Sequence, residues 1–302
     1  MKKRFGILSL FFALAIVGFL LPQPANGAPQ GSTTQKTNTR ILYHNGPVMR
    51  SAVHVYIIYY GCWNCNFPGS NLDTQIILGN LASSLGLSPY FRINTTYPDY
   101  SGSAPNGAVV FGGAVEDASY SHGNELTAAD IQSIVSDQFT AQTLPQDPAG
   151  IFLVVASSDI SALATGFCSP GAAPYHGNFT YFGTAARFAF IGNAARCPSL
   201  AAPQFVASDG SLLPSPNGNY AADAMASTAA YALNTIVANP NGNGWYDRYG
   251  LENADKCRGK FGQTYTTTNG ARANVRLAGR DFLIQQNWLN SNKGHCSLSI
   301  IQ

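Results

Sequence analysis

Apolar residues along the chain follow two different spacings, and these predict strands and helices in alternation. Four short runs rich in β-branched and aromatic residues, such as VHVYIIYY, predict buried β-strands at 53–60, 108–112, 150–156 and 187–192. Three longer segments carry apolar residues at helical spacing and predict helices at 71–85, 127–139 and 221–237. Strands that alternate with helices indicate an α/β or α+β fold, a sandwich of helices around one mixed sheet.

The predicted helices have recognisable ends. Asn71 stands at an N-cap position, and Thr127 with Asp130 forms a capping-box pattern. Asn239 and Pro240 end the third helix. No shift in composition marks a domain boundary, so residues 41–302 are expected to form a single domain. Its last part, 241–302, has little periodicity and two cysteines, which predicts a loop-rich segment stapled by a disulfide.

The N-terminus has the order of a secretory signal. A basic start (Lys2, Lys3, Arg4) precedes an apolar run at 7–21, and small residues follow at 25–27. We therefore interpret residues 1–27 as a cleavable signal peptide and 28–40 as a flexible leader. A membrane anchor is the alternative, but the run is shorter than the about 20 apolar residues that span a bilayer. The mature protein is expected outside the cell.

Charged residues make up only 11 % of the 302 residues, and the formal net charge is +2. A charge this small gives no electrostatic footprint for nucleic acid or for an anionic membrane. We therefore expect neither nucleic acid nor, after signal cleavage, a membrane among the partners. Glycine, asparagine, serine, threonine and tyrosine replace the missing charges, as in extracellular proteins that meet carbohydrate.

An even number of cysteines behind a signal peptide predicts disulfides. Pairing them by order along the chain gives Cys62–Cys65, Cys168–Cys197 and Cys257–Cys296. Cys62 and Cys65 also have the spacing of a redox motif, but a turn signal rather than a helix follows them, which favours a structural bond. Two sequons, at Asn94 and Asn178, are candidate N-glycosylation sites.

Few residues are candidates for catalysis or for metal or ligand binding. Of the five histidines, His176 is the best candidate for a functional role, although a loop hydrogen bond is the simpler interpretation. Asp247, Glu252 and Asp255 lie close together and could bind Ca²⁺, or could cap turns and pair with cations nearby. No catalytic residue and no metal ligand can be assigned. The candidate binding residues are His176, Trp245, Tyr246, Asp247 and Glu252.

Three blocks of sequence follow one another along the chain: LYHNGPV at 42–48 with the strand that follows, a middle block ending in VANP and NGWY, and a last block with GRDFL between Cys257 and Cys296. In this order they resemble the EXORDIUM, or phosphate-induced protein 1, family. The resemblance covers roughly residues 41–300. It implies a secreted protein of the plant cell wall or apoplast, linked to cell expansion and growth responses, with no established catalytic activity.

The third predicted helix contains YALNT at 231–235, and its flanks resemble, more distantly, bacterial secreted zincin-like proteins, which carry His-Glu-x-x-Glu at this point. Tyr231 stands for their histidine, Ala232 for the general-base glutamate and Thr235 for the second ligand. Alanine and threonine cannot bind zinc, and tyrosine is a poor substitute for imidazole. The resemblance therefore implies a zincin-like fold without zinc, and we expect no cofactor.

Two functions are consistent with these observations. The first is a non-enzymatic extracellular protein that binds cell-wall polysaccharide or a partner protein. The second is a secreted hydrolase, metal-dependent or metal-free, with a relocated site that uses His176 with Asp247 or Glu252. A position of His176 within hydrogen-bond reach of these carboxylates, in a pocket, would favour the second.

Overall fold

The structure, a computed structural model, describes residues 40–300. The predicted signal peptide and all but the last residue of the predicted leader lie outside this range. Within it, the chain forms four α-helices: α1 (Leu72–Ser84), α2 (Ala128–Thr140), α3 (Pro198–Ala201) and α4 (Tyr220–Ala238). The strands of the described residues are β1 (Leu42–Tyr43), β2 (Val53–Tyr60), β3 (Val109–Asp117), β4 (Gly150–Ala156), β5 (His176–Tyr181), β6 (Thr184–Ile191), β7 (Trp245–Tyr246), β8 (Tyr265–Thr266), β9 (Arg272–Ala273), β10 (Val275–Leu277), β11 (Arg280–Phe282), β12 (Asn287–Leu289) and β13 (His295–Ser297).

The centre of the fold is a five-stranded mixed sheet with the order β3-β2-β4-β6-β5. Strands β3, β2, β4 and β6 are parallel, and the edge strand β5 pairs antiparallel with β6. All four strands predicted from the sequence belong to this sheet. The prediction of a mixed α/β fold is thus confirmed, whereas β5 was not anticipated.

Helices cover both faces of this sheet, which explains the apolar composition of the central strands. Every residue of β4 is buried, and β2 is almost as deeply enclosed. On one face, α1, α4 and the C-terminal segment form the larger hydrophobic core with these strands. On the other face, α2 packs against them in a second core.

The three predicted helices are present with the predicted caps. The Asn71 side chain accepts a hydrogen bond from the Thr74 backbone, and Thr127 and Asp130 form a complete capping box. Helix α4 is almost entirely buried, which fits its high alanine content. None of the helices in residues 40–300 is both long and apolar enough to cross a membrane.

The C-terminal segment consists of short ribbons rather than a layer of its own. The pairs β8–β9, β10–β11 and β12–β13 are two-stranded and antiparallel, and β7 pairs with β1 near the start of the described chain. The single sheet of the prediction is therefore joined by four small ones. All three predicted disulfides are present, including Cys257–Cys296, which staples this segment.

Candidate functional site

A cavity of about 910 Å³ lies over one side of α4. Its floor is formed by α4 residues that include Ser227, Thr228 and Tyr231. The loop 165–175, which leads into the edge strand β5, forms one wall. The C-terminal segment contributes Arg258, Gly259 and Phe261, and Arg258 donates a hydrogen bond to the Gly171 carbonyl of that loop. The cavity thus lies on the helix that carries the zincin-like positions.

The walls of the cavity combine aromatic rings with polar groups, of which Arg258 is charged. Phe167 packs edge-on against Phe190 with their ring centroids 5.7 Å apart, and the ring centroid of Tyr175 lies 6.1 Å from that of Phe188. The Cys168–Cys197 disulfide ties the loop to the segment that follows β6. Aromatic walls with a few polar groups are the usual lining of a site for a small molecule or a polymer segment.

Tyr231, at the position of the zincin histidine, is held in a polar network at the edge of the cavity. Its hydroxyl donates a hydrogen bond to Asp255, and Arg258 Nη2 lies 2.5 Å from the same carboxylate. Burial and the negative charge of Asp255 raise the pKa of Tyr231 well above its usual value. The phenol therefore remains protonated and serves as a hydrogen-bond donor.

The other two zincin-like positions offer no metal ligand. Ala232 is buried in the main core, facing α1 and the sheet. Thr235 is fully buried, and its hydroxyl has no hydrogen-bond partner among the described residues. Nowhere in residues 40–300 do three histidine, cysteine or acidic side chains come together as a metal site would require.

His176 and Glu252 are brought together, as the hydrolase hypothesis requires. Nε2 of His176 lies 3.2 Å from Oε2 of Glu252, and the other carboxylate oxygen accepts a hydrogen bond of 2.5 Å from Asn239. Burial disfavours the charged imidazole, but the Glu252 carboxylate outweighs it and raises the pKa of His176 to about 9. The histidine is therefore charged at neutral pH and joins β5 to the C-terminal segment.

Asp247 lies apart from solvent in a buried ion pair. Its Oδ2 is 2.9 Å from Nζ of Lys256, and neither side chain has any exposed surface. Its Oδ1 accepts backbone hydrogen bonds from Tyr249 and Leu251, so it also caps a turn. This arrangement matches the alternative of turn capping and cation pairing that the sequence left open.

Trp245 and Tyr246 belong to a ribbon rather than to the cavity. They pair with Leu42 and Tyr43, and Tyr246 stacks on His44 with ring centroids 3.6 Å apart. Two sequence blocks that resemble the EXORDIUM family therefore meet here in space. The glycine at position 46 belongs to the same contact, since a Cβ there would collide with the backbone just before β7.

The two candidate glycosylation sites differ in their surroundings. Asn94 is completely buried, and its Nδ2, the atom that would carry a glycan, donates hydrogen bonds to Asn234 and to the backbone of Phe91. A glycan at Asn94 is incompatible with this fold, which corrects our expectation. Asn178 is exposed on the edge strand β5 and stays a prediction.

Most of the residues around the cavity were not found from the sequence. Of the candidate binding residues, none lines the cavity, although His176 directly follows the lining residue Tyr175. The zincin-like helix was the one signal that pointed to this place. Phe167, Tyr175 and Arg258 gave no signal of their own, because they come from segments that only the fold brings together.

Comparisons with known proteins agree with the three sequence blocks that resemble the EXORDIUM family. The family model described as the phosphate-induced protein 1 conserved region matches residues 41–298. The chain belongs to this EXORDIUM family, which confirms the resemblance. No solved structure matches the chain.

Curated relatives come from Arabidopsis thaliana. The chain is 31 % identical to Protein EXORDIUM-like 3 over 279 residues, which cover 82 % of this chain and 80 % of that protein. It is 30 % identical to Protein EXORDIUM-like 5 over 283 residues, with 85 % and 77 % covered. Protein EXORDIUM itself is 27 % identical over 283 residues, with 81 % and 84 % covered.

Proposed function

We propose that the protein is a secreted, non-catalytic protein of the plant cell wall or apoplast that binds wall polysaccharide in the cavity over α4. The growth and cell-expansion role implied by the resemblance would follow from that binding. The observation that carries the proposal is the cavity itself, with its aromatic walls and its floor of hydroxyl groups. Three disulfides are in keeping with an oxidising compartment outside the cell.

The size and chemistry of the cavity suit a polysaccharide segment. Its volume of about 910 Å³ lies at the upper end of the range for small-molecule sites, which is about 300–1,000 Å³. Phe167, Tyr175 and Phe261 offer flat apolar surfaces, while Ser227 and Thr228 offer hydroxyl groups. A sugar ring has an apolar face and a rim of hydroxyl groups. The aromatic side chains can pack against the apolar face, and the hydroxyl groups of the cavity can form hydrogen bonds with the rim.

We further propose that the scaffold is zincin-like and that its metal chemistry has been lost. The long, buried helix α4, which packs against the central sheet and lies under a cavity, supports this view. Tyr231 donates to a carboxylate instead of binding a metal, and Ala232 points into the core. We expect chelator-free, refolded protein to hold no stoichiometric zinc by elemental analysis. One zinc per chain together with peptidase activity would contradict the proposal.

The relocated hydrolase is the alternative, and one distance favours it. His176 and Glu252 lie within reach of each other, as a base and its orienting carboxylate would. The chemistry is unsuitable, however, because a histidine with a pKa of about 9 already carries its proton and cannot accept another at neutral pH. Asp247 is completely buried beside Lys256 and does not face solvent. We therefore prefer the binding function.

The proposal is tested by filling the cavity. Thr228 lines it from a partly exposed position on α4, so Thr228→Trp is expected to occupy the binding volume without disturbing the core. We expect the affinity for solubilised wall polysaccharide, measured by calorimetry, to fall at least about tenfold, or about 1.4 kcal/mol.

The matched control is Thr140→Trp, on the exposed side of α2 beyond the opposite face of the sheet. This variant introduces the same side chain into a helix of the same fold, far from the cavity. It should bind like the parent protein. Equal affinity for both variants, with their folding verified by circular dichroism, would show that the cavity is not the binding site.

A further inference from the structure

Charged residues are segregated along the chain, although the net charge is small. Between Arg92 and Arg187 there is no lysine or arginine, while aspartate and glutamate occur eight times. In the segment 258–280 the opposite holds, since it contains no acidic residue and five cations: Arg258, Lys260, Arg272, Arg276 and Arg280. Such a distribution creates a field that the net charge conceals.

The fold places part of each charged stretch on a different side of the central sheet. The acidic stretch includes α2, which packs on one face of the sheet with the second hydrophobic core. The cationic segment belongs to the opposite side, where Leu277 and Phe282 join the core that α1 and α4 form. The α2 carboxylates Asp130 and Asp137 thus lie on one side of the sheet, and the cationic segment lies on the other.

The cationic segment borders the cavity directly. Gly259 and Phe261 line the cavity, and Lys260 between them is exposed, which places this lysine at the rim. Asn274 donates a hydrogen bond of 2.7 Å to the Phe261 carbonyl, so the strand pair β8–β9, which carries the exposed Arg272, is tied to the same wall.

Two of these cations are available to a ligand. Lys260 has no ion pair or side-chain hydrogen bond among the described residues, and Arg272 has only a long contact of 3.5 Å to the Thr264 hydroxyl. The others are engaged: Arg258 with Asp255, Arg276 with Asp281, and Arg280 with Asn217. An exposed cation without an ion pair can bind an anionic ligand without first breaking an existing interaction.

We propose that the polysaccharide bound in the cavity is anionic, a polymer of carboxylated sugars, and that Lys260 and Arg272 bind its carboxylates at the rim. This inference rests on the proposed function and adds the class of ligand to it. The carboxylates of a polyanion are attracted to these two exposed cations, which have no acidic partner among the described residues. A neutral glucan would gain nothing from this arrangement.

The test uses polygalacturonate as the carboxylated probe and a soluble neutral β-glucan as its counterpart. The full mature protein should bind polygalacturonate at least about tenfold more tightly than the glucan at low salt. This preference should decrease sharply at 1 M salt, where the Debye length is only about 3 Å. The double variant Lys260→Gln/Arg272→Gln should lose at least about tenfold in affinity for polygalacturonate and keep its affinity for the glucan.

The control is Arg92→Gln/Lys293→Gln, which changes the net charge equally at two exposed positions outside the cationic segment. It should bind like the parent protein. Equal, salt-independent binding of both polymers would overturn the inference and leave the proposed function intact, whereas binding of neither would overturn both. Duplex DNA bound as tightly as polygalacturonate, at equal charge, would show an unselective polyanion surface and also overturn the inference.

Discussion

Replacing Lys256 with methionine is expected to destabilise the folded protein by about 3–5 kcal/mol, because the variant retains the buried carboxylate of Asp247 after its ion pair is removed. Both side chains are completely inaccessible to water, and the ammonium lies 5.4 Å from the centre of the Trp288 ring. Neither charge can recover its hydration in the native state. Denaturant unfolding at pH 7 measures the effect.

A second variant separates the ion pair from simple packing. Lys256→Met with Asp247→Asn removes both charges, while the side-chain oxygen of the introduced asparagine can still accept the backbone hydrogen bonds of the turn. We expect the double variant to regain most of the lost stability, since no charge is then left buried without its partner. Lys293→Met, at an exposed position, should change stability by no more than about 0.5 kcal/mol. A double variant as unstable as the single one would contradict this explanation.

The free energy of unfolding is expected to fall as the pH rises from about 4 to about 9, in two separate windows. Burial raises the pKa of Asp223 from 3.8 to about 6, against the hydrogen bonds from Asn217. Between these values the unfolded chain releases a proton that the folded protein retains, so rising pH favours unfolding. His176 lowers the stability in the same way, because its pKa is raised from 6.5 to about 9. Its stabilising charge is fully present below pH 6.5 and is lost as the pH rises through about 9.

Each window corresponds to a loss on the order of 3 kcal/mol, at about 1.4 kcal/mol for one pKa unit. Urea unfolding at closely spaced pH values should show both declines. Asp223→Asn should flatten only the lower window and His176→Gln only the upper one. Carboxylates whose pKa is lowered, such as Asp130 and Asp147, change the stability only below about pH 4, outside both windows. A profile that rises between about pH 5 and pH 8 would contradict the prediction.

Local patterns predicted the main elements well. The strand β2 and the helix α1 occur almost where the sequence placed them, because a buried strand and a capped helix depend on nearby residues. The strand β3 continues beyond its predicted end to Asp117, since its backbone still pairs with β2 through a glycine-rich stretch with few apolar side chains. The edge strand β5 has the polar sequence HGNFTY, which resembles a loop until β6 pairs with it.

Most of the candidate site could not be predicted from the sequence, because its residues are brought together only by the fold. His176 and Glu252 form an ion pair although they are distant in the chain. The sequon at Asn94 does not indicate that this side chain is buried in the core. The cavity walls come from the loop 165–175, α4 and the C-terminal segment. No periodicity could connect such distant segments, because side-chain spacing reports only on the element to which a residue belongs.

The sequence by itself determined the family, the strand and helix framework, the helix caps and the three disulfides. These follow from local physical chemistry, or from motifs whose order survives along the chain. The tertiary structure alone decided where the cavity lies, which charges are buried, and that the carboxylates of α2 and the basic segment 258–280 lie on opposite sides of the sheet. Burial and electrostatic fields depend on distances in space, and these exist only after the chain has folded.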